Sequence, residues 1–395
     1  MNKLLLMGDI HYTKELIIKG KELGAYVILT DNRSTEESPD KLLADEYWDI
    51  GLDDLDALED KARENGVTHV YAGASDICIT RAMELSERLG LDFYCTREIC
   101  DLIVDKRAFK KKCVEYGVPV AKEYELHDDM TEDELNAITY PIIIKPVNGS
   151  SSLGISICHN ASEVPAGYKK AKTISDDVFA ESYIEGIMVC LYYAFDAEGK
   201  ARLFLTYDDK ATAFFVTPSA YHETICAEIS PKIEKMFSDL GINRGVGFVQ
   251  MMIAPDGQAA VLEMNYRLCG ALATEAINLV LAEIVLRDAF GMTRYVPDLK
   301  LALYAFAIMG KEGTIDHFEG LDKVEGLEQH LFTAPWKKPG DSIENGTGLR
   351  QLCFEFAFKG NDKSEQREML RFIYENIRIV GTNGEDLMIR NDLFS

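Results

Sequence analysis

The sequence predicts a multidomain protein of mixed architecture, α/β in its first hundred residues and α+β in the rest. Three observations support this class. The chain has 395 residues, more than a single hydrophobic core usually serves. Strand and helix patterns alternate through residues 1–100, whereas strands and hairpins dominate residues 120–295. Residues 296–395 return to strands with one helix, so we predict domains over 1–100, 101–295 and 296–395.

The first hundred residues show a βαβ pattern. An apolar strand, KLLLMG, is followed by a helical pattern over residues 13–23 that ends at Gly24. Next come the strand AYVILTD, the helical pattern LDDLDALEDKAREN, Gly66 and the strand THVYAGAS. This alternation predicts a parallel sheet with flanking helices. The first turn, GDIHY, has one glycine, so no dinucleotide-binding loop is predicted.

A further helix is predicted from about residue 105, in the stretch VDKRAFKKKCVEYGVPV. Asp105 suits its N-cap, Gly117 suits the position after its end, and Pro119 prevents continuation. The lysine run at residues 110–112 is interpreted as a solvated helix face. The last region contains the strand LALYAFAIM, the loop KKPGDSI, the strand LCFEFAF, a helix near residues 365–376 and a terminal hairpin.

Composition and charge restrict the possible partners. With 47% hydrophobic and 27% charged residues, the chain has the composition of a soluble globular protein. The net charge of −24 disfavours nucleic acid and anionic membrane surfaces, because phosphates bind to basic faces. No stretch has the length of a membrane span, and the amino terminus lacks a secretion-signal pattern. The nine cysteines form no CxxC pair, and we interpret all of them as reduced thiols of a cytoplasmic protein.

A lysine ends an apolar strand in the stretch YPIIIKPVNGSSSLGISICHN, residues 140–160. Lys145 must meet an anion or leave the core, because burying an unpaired charge is costly. The following loop contains Ser150, Ser151 and Ser152 between two glycines, and its backbone N–H groups and hydroxyls suit phosphate oxygens. A polar hairpin with a lysine that extends into solvent explains this stretch, taken alone, equally well.

A predicted hairpin in GVGFVQMMIAPDGQAAVLEMNYRLCG, residues 245–270, provides a second signal. The Asp-Gly pair at residues 256–257 favours a two-residue type I′ turn. That turn places Gln250 directly opposite Glu263 on one face of the ladder. Because side chains alternate along a strand, Asn265 and Arg267 are expected on the same face as Glu263.

The four polar side chains of this hairpin suit metal-assisted phosphate chemistry. Gln250, Glu263 and Asn265 offer the hard oxygen ligands that Mg²⁺ prefers. The guanidinium of Arg267 suits a phosphoryl or carboxylate group. An ordinary amphipathic hairpin with a wet face is the alternative, and this order of residue types makes it the weaker interpretation.

Together these motifs resemble those of the ATP-grasp enzymes. Members have two basic phosphate-binding residues, a Gly-rich loop, a hinge with Glu-x-x-(Ile/Leu/Val), and a final Glu-x-Asn-x-Arg. The matching positions here are Lys106 in VDKRAF, Lys145 with GSSSLG, Glu181, Tyr183 and Ile184 in ESYIEG, and Glu263, Asn265 and Arg267 in LEMNYR. The resemblance implies a βαβ N-terminal domain, a central two-lobed ATP-grasp domain and a small α+β C-terminal domain.

The resemblance also implies a reaction. An ATP-dependent carboxylate–amine ligase activates a carboxylate as an acyl phosphate, an amine attacks it, and ADP and phosphate are released. Amino acids are candidate substrates, Mg²⁺ or Mn²⁺ is the expected metal, and a homodimer is expected by analogy. The residues implied are Lys106, Lys145, Ser150, Ser151, Ser152, Glu181, Tyr183 and Ile184 for ATP, Gln250, Glu263 and Asn265 for the metal, and Arg267, supported by Lys210, for phosphoryl transfer.

Two departures from the family pattern leave alternatives open. Gln250 stands where many members have an acidic metal ligand, and Met188 stands where an acid often contacts the ribose. A carbamoyl-phosphate-like or carboxylating ATPase, or a nucleotide-binding regulator without catalysis, are therefore the competing hypotheses. Substrate specificity is expected in loops around Ser75 and Asp76 and at residues 217–223 and 269–274.

Overall fold

The computed structural model describes residues 1–10, 12–147, 154–210, 213–218, 225–268, 275–298, 303–344, 351–360 and 363–390. The strands are β1 Lys3–Met7, β2 Tyr26–Thr30, β3 Glu46–Trp48, β4 His69–Tyr71, β5 Glu123–Tyr124, β6 Ile142–Pro146, β7 Ser156–Cys158, β8 Val178–Ser182, β9 Ile187–Phe195, β10 Ala201–Lys210, β11 Ala213–Pro218, β12 Val246–Ile253, β13 Ala259–Asn265, β14 Leu303–Met309, β15 Gly313–Glu319, β16 His330–Pro335, β17 Ser342–Ile343, β18 Leu352–Lys359 and β19 Arg378–Gly381. The helices are α1 Thr13–Glu22, α2 Leu55–Asn65, α3 Asp76–Leu89, α4 Arg97–Val104, α5 Lys106–Glu115, α6 Glu132–Asn136, α7 Val164–Lys172, α8 Ser230–Asp239, α9 Glu275–Ala289, α10 Leu321–Glu325 and α11 Lys363–Asn376.

The chain divides into two compact units. Unit 1 consists of Met1–Val104, Val189–Phe248 and Asn265–Ser395, and unit 2 consists of Asp105–Met188 and Val249–Met264. The boundary at residues 104 and 105 lies close to the first predicted domain boundary. The division of the whole chain into three domains stays a prediction.

The beginning of unit 1 confirms the predicted βαβ pattern. A parallel four-stranded sheet has the order β3-β2-β1-β4. In its core Leu5 lies opposite both Ile28 and Val70, and all three side chains are buried. Helix α2 begins at an Asp54 N-cap and ends at Gly66, which has the left-handed backbone conformation expected of a helix stop.

The rest of unit 1 contains six consecutive strands of an eight-stranded sheet, in the order β9-β10-β11-β14-β18-β16. The pairs β10–β11, β11–β14, β14–β18 and β16–β18 are antiparallel. Strands β14 and β18 and helix α11 confirm the predicted elements of the last region. Their core is aromatic and aliphatic, with Phe306, Phe356 and Phe358 packed near Leu370 and Ile373 of α11.

Unit 2 combines a four-stranded sheet, β5-β8-β6-β7, with helices and with the hairpin of β12 and β13. The pairings of β8 with β5 and β6, and of β6 with β7, are all antiparallel. Helix α7 covers one face of this sheet, where Val164 and Ala171 pack on Ile142 and Ile144. Helix α5 begins as predicted, because the Asp105 side chain accepts hydrogen bonds from the second and third helical N–H groups.

The prediction that strands and hairpins fill residues 120–295 is wrong in part, since α6, α7, α8 and α9 lie there. Helix α8 shows the signal that was missed. Ile233, Met236 and Phe237 recur at helical spacing and are all buried. Short amphipathic helices between strongly apolar strands are easily mistaken for continuations of the strand pattern.

The prediction of nine reduced thiols is wrong for one pair of cysteines. Cys95 and Cys100 form a disulfide, and their Cα atoms lie 6.2 Å apart. Helix α4 begins between them, at Arg97, and its first turn brings Cys100 back toward Cys95. The free thiols described are those of Cys78, Cys113, Cys158, Cys190 and Cys353, all buried. In the described ranges, no helix is both long enough and apolar enough to cross a membrane.

Candidate active site

Lys145 lies on β6, in the middle of the unit 2 sheet. Ile142 and Ile144 point into the core and are fully buried, so alternation directs Lys145 to the opposite face. Its Nζ lies 2.9 Å from Oε2 of Glu181. The lysine has therefore met an anion, as the sequence predicted, but that anion is a carboxylate of the protein itself.

Glu181 lies on β8, opposite Ile143 of β6, and is only 1% exposed. Its second carboxylate oxygen, Oε1, forms an ion pair with Lys110. Lys110 is buried on helix α5 together with Phe109 and Cys113. The interpretation of this lysine as part of a solvated helix face is therefore wrong, and its ion pair with Glu181 was missed.

The electrostatic surroundings of Lys145 favour loss of its proton. Burial lowers the pKa of Lys145 to about 8, and the nearby positive charge of Lys106 lowers it as well, while Glu263 acts in the opposite direction. Two ammonium groups, those of Lys110 and Lys145, share the single carboxylate of Glu181. A phosphate group placed here would supply the negative charge that this cluster lacks.

This arrangement predicts a pH-dependent affinity for ATP. Lys145 binds an anion as its ammonium form, which is lost in the free protein as the pH rises through about 8. We expect the affinity to fall between pH 7 and pH 9.5, approaching about tenfold per pH unit above the pKa, because binding must then take up a proton. Calorimetric titration with ATP across this range measures the effect. An affinity that is constant from pH 7 to pH 9.5 would contradict it.

Replacement of Lys145 tests the same cluster at one pH. Lys145→Ala is expected to weaken ATP binding by roughly tenfold to a hundredfold, the usual size of a hydrogen bond to a charged group. Lys112→Ala is the matched control, because 36% of the Lys112 side chain is exposed and the residue pairs only with Glu115 of its own helix in the described contacts. Unchanged ATP affinity in a folded Lys145→Ala protein would remove Lys145 from the nucleotide site.

The hairpin of β12 and β13 differs from the prediction at its turn. The Ala254 N–H donates to Gln258 O at 2.8 Å, and the Gly257 N–H donates to Ala254 O at 2.9 Å. Three residues therefore form the loop, and Gly257 has the positive φ of 87° that a type I turn with a bulge requires. The predicted two-residue type I′ turn is therefore wrong. The direct pairing of Gln250 with Glu263 loses the support of that turn and stays a prediction.

The predicted metal ligands in unit 2 have protein partners. Glu263 Oε2 lies 3.0 Å from Lys106 Nζ, and about a third of each side chain is exposed. Gln250 Nε2 lies 3.6 Å from the sulfur of Met188, the residue that stands where relatives often have an acid. No group of three or more His, Cys, Asp or Glu side chains within the described ranges is arranged to hold a metal ion. The predicted Mg²⁺ ligands would not form such a group, because they are one carboxylate and two amides. Hard oxygens of this kind suit Mg²⁺.

Arg267, in unit 1, is held by a forked ion pair with Asp76. Its Nε donates to Asp76 Oδ1 at 2.5 Å and its Nη2 to Asp76 Oδ2 at 3.0 Å. Nη2 also donates to Asn265 Oδ1 at 3.2 Å, and Nη1 donates to Leu268 O at 3.0 Å. Asp76 is the first residue of α3, whose N-cap is Ser75. The sequence indicated Ser75 and Asp76 as specificity residues, and the partnership with Arg267 was missed.

The other predicted site residues have these positions. Tyr183 and Ile184 follow β8 and are half-buried, and the Tyr183 N–H donates to Pro141 O at 2.9 Å. Lys210 ends β10, but its side chain lies outside what the structure describes. Residues 148–153, which include Ser150, Ser151 and Ser152, lie outside the described residues, as do the loops at 219–223 and 269–274. The functional roles of all these residues stay predictions.

Comparison with known proteins supports the resemblance that the motifs indicate. Residues 112–267 match the family model described as D-ala D-ala ligase C-terminus. A D-alanine--D-alanine ligase from Cupriavidus necator is 26% identical over 196 residues, which cover 46% of this chain and 60% of the relative. Over this region, which holds the motifs described above, the chain is similar to ATP-grasp ligases. The chain spans about half the length of the curated relatives that it matches over this region.

Solved structures share the fold of this chain over nearly its whole length. An L-amino acid ligase from Bacillus licheniformis superimposes with a TM-score of 0.79 at 15% identity, covering 97% of this chain and 99% of that one. A biotin carboxylase domain from Hydrogenobacter thermophilus, solved with MgADP and bicarbonate, has a TM-score of 0.71 at 19% identity, covering 94% and 89%. At these identities the likeness concerns the fold, and it confirms the predicted α/β and α+β class.

Proposed function

We propose that this ATP-grasp protein is an ATP-dependent ligase that joins a carboxylate to an amine. One observation carries the proposal most directly. In a chain with a net charge of −24, three lysine ammonium groups in unit 2 surround two carboxylates. This excess of positive charge, partly buried, suits a polyphosphate. The residues of the cluster are Lys106, Lys110, Lys145, Glu181 and Glu263.

The proposed chemistry has two steps. A carboxylate oxygen of the first substrate attacks the γ-phosphorus of ATP, the bond to the bridging oxygen of ADP breaks, and an acyl phosphate forms. The nitrogen of the amine then attacks the acyl carbon, phosphate leaves, and the amine nitrogen loses a proton. Lys106 and Lys145 bind phosphate oxygens, and Arg267 meets the charge that develops on the transferred group.

A divalent metal fits the oxygen donors of this chain. Mg²⁺ or Mn²⁺ would be held by Glu263, by Asn265 two residues further on β13, and by Gln250, and it would neutralise charge on the phosphates. Glu263 already attracts the ammonium group of Lys106, and Asn265 Oδ1 already accepts a hydrogen bond from Arg267. Both oxygens thus face cationic partners, as ligands of a cation should.

Amino acids are the proposed substrates, supported by the full-length likeness to an L-amino acid ligase. The test is a panel of amino-acid pairs with ATP and Mg²⁺, in which ADP and phosphate are quantified and the amide product is identified by mass spectrometry. We expect at least one pair to release ADP and phosphate in equal amounts with one amide bond formed. ATP binding without turnover in every pair would contradict ligation of amino acids and favour a nucleotide-binding regulator.

A carboxylating or carbamoyl-phosphate-like activity is the second candidate. Gln250 in place of an acid and the likeness to a biotin carboxylase domain both favour it. The same assay separates the two candidates. A carboxylating ATPase would release phosphate with bicarbonate alone, whereas the proposed ligase would require an amino-acid carboxylate and an amine.

A further inference from the structure

The single negative charge of Glu181 is paired with two positively charged side chains. Lys110 pairs with Oε1 and Lys145 with Oε2, so one negative charge faces two ammonium groups in a buried place. Lys110 is 7% exposed and Glu181 only 1%. Neither side chain reaches enough solvent for water to screen its charge. When both lysines are protonated, the cluster carries a net charge of +1 before Lys106 is counted.

The two lysines differ in how they are held. Lys110 lies on helix α5 with its ammonium group 5.5 Å from the centre of the Phe179 ring. Arg107, on the same helix, lies over this ring at 5.4 Å. Lys145 is more accessible, with 20% of its side chain exposed. Of the two lysines that share Glu181, Lys145 is therefore the one able to leave it for a ligand.

Helix α5 directs two lysines to two different carboxylates. Lys106 and Lys110 are four residues apart and therefore lie on the same face of the helix. Lys106 pairs with Glu263 and Lys110 with Glu181. Each carboxylate of the cluster consequently has its own lysine from α5, and Lys145 is the additional cation.

We propose that Lys110 is a positioning residue for nucleotide binding, which keeps Glu181 neutralised when Lys145 exchanges that carboxylate for a phosphate group of ATP. This inference rests on the proposed function in assigning Lys145 to ATP. Without Lys110, release of Lys145 would leave a buried carboxylate without a counter-charge, which is strongly unfavourable. Lys145 would then stay on Glu181 and bind ATP weakly.

The surrounding charges agree with this exchange. Burial lowers the pKa of Lys110 to about 7, and the positive charge of Lys145 contributes to the same shift, while Glu123 opposes it. The charged groups that act on Lys145 are Lys106 and Glu263 in addition to its partner Glu181 and the neighbouring Lys110. When a phosphate takes Lys145, repulsion between the two lysines is relieved, so the pKa of Lys110 rises and its ammonium form neutralises Glu181 in the ATP complex.

Lys110→Met is the first test, with calorimetric titration of ATP and Mg²⁺ in the absence of any carboxylate or amine. We expect about tenfold weaker ATP binding than in the unaltered protein. We also expect the ATP affinity of the variant to stay constant between pH 7 and pH 9.5, because Lys145 is then the only one of these two lysines paired with Glu181 and stays protonated. Lys111→Met is the matched control, since Lys111 is next to Lys110 in the sequence and is exposed. This variant should retain the original ATP affinity and pH profile.

A double-mutant cycle separates this role from simple packing. In a Glu181→Gln background there is no buried charge to neutralise, so adding Lys110→Met should change ATP affinity by less than about threefold. An equal loss in both backgrounds, or an unchanged affinity and pH profile in Lys110→Met, would overturn the proposal. If Lys110→Met does not fold, Lys110→Arg keeps the charge and is expected to bind ATP normally. Loss of ATP binding in folded Lys110→Arg would then overturn it.

The outcome is distinguishable from failure of the proposed ligase function. These titrations measure ATP binding alone and need no ligation. A protein that binds ATP with the predicted coupling between Lys110 and Glu181, but ligates nothing, would support Lys110 as a positioning residue and contradict only the ligase. A protein that does not bind ATP at all would contradict both.

Discussion

Arg267→Ala is expected to lower the rate of ligation by about two orders of magnitude while ATP binding and folding stay close to normal. We propose that the guanidinium of Arg267 stabilises the negative charge that develops on the transferred phosphoryl group. Interactions that form mainly in the transition state change kcat more than they change substrate affinity. Removal of one such donor typically costs about 3 kcal/mol, which corresponds to roughly a hundredfold in rate.

The measurement is kcat with the substrate pair that the panel identifies, together with the affinity for ATP. Arg287→Ala is the matched control, because Arg287 lies in the same unit and donates to the carbonyl oxygen of Thr293. Asp76→Asn is a second variant to measure, since it weakens the forked ion pair between Asp76 and Arg267. If kcat survives Arg267→Ala within a few-fold, Arg267 has no part in phosphoryl transfer.

Glu263→Gln is expected to have the second large effect, a loss of activity at least about tenfold greater than that of Gln250→Ala. Glu263 supplies the only formal negative charge among the three proposed metal ligands. Its carboxylate is also the partner of Lys106 at 3.0 Å. Gln250→Glu is expected to be tolerated, and to lower the Mg²⁺ concentration needed for half-maximal activity, because it adds a second carboxylate.

Activity as a function of Mg²⁺ concentration measures these effects. Glu185→Gln is the matched control, because Glu185 is an exposed acid of the same unit. Equal losses for Glu263→Gln and Gln250→Ala, or a Glu263→Gln protein with the original Mg²⁺ dependence, would contradict the proposed metal site.

Much of the fold was predictable because its signals are local. Asp105 caps α5 as its sequence position indicated, and Gly66 ends α2 in the left-handed conformation. The hairpin turn was mispredicted although its signal was present. Pro255 suits the second position of a type I turn, so residues 254–257 form that turn and Gly257 provides the bulge. The Asp-Gly pair alone favoured the shorter loop.

The missed parts of the candidate site depend on contacts between distant parts of the chain. Lys110 stands in a run of lysines, a pattern typical of a solvated helix face, and only the position of β8 shows that Glu181 reaches it. Asp76 and Arg267 are separated by 191 residues, so no local spacing indicates their ion pair. The environment of Lys145 was predictable in part, because a charge at the end of a buried strand must either meet an anion or leave the core.

An isotope experiment tests whether the proposed acyl phosphate forms. The substrate carboxylate is labelled with ¹⁸O, ligation is run with unlabelled ATP and amine, and the released phosphate is analysed by mass spectrometry. We expect one ¹⁸O atom in each phosphate, because a carboxylate oxygen attacks the γ-phosphorus and stays with it when the amine displaces phosphate. Unlabelled phosphate, or release of AMP and pyrophosphate, would contradict the proposed mechanism.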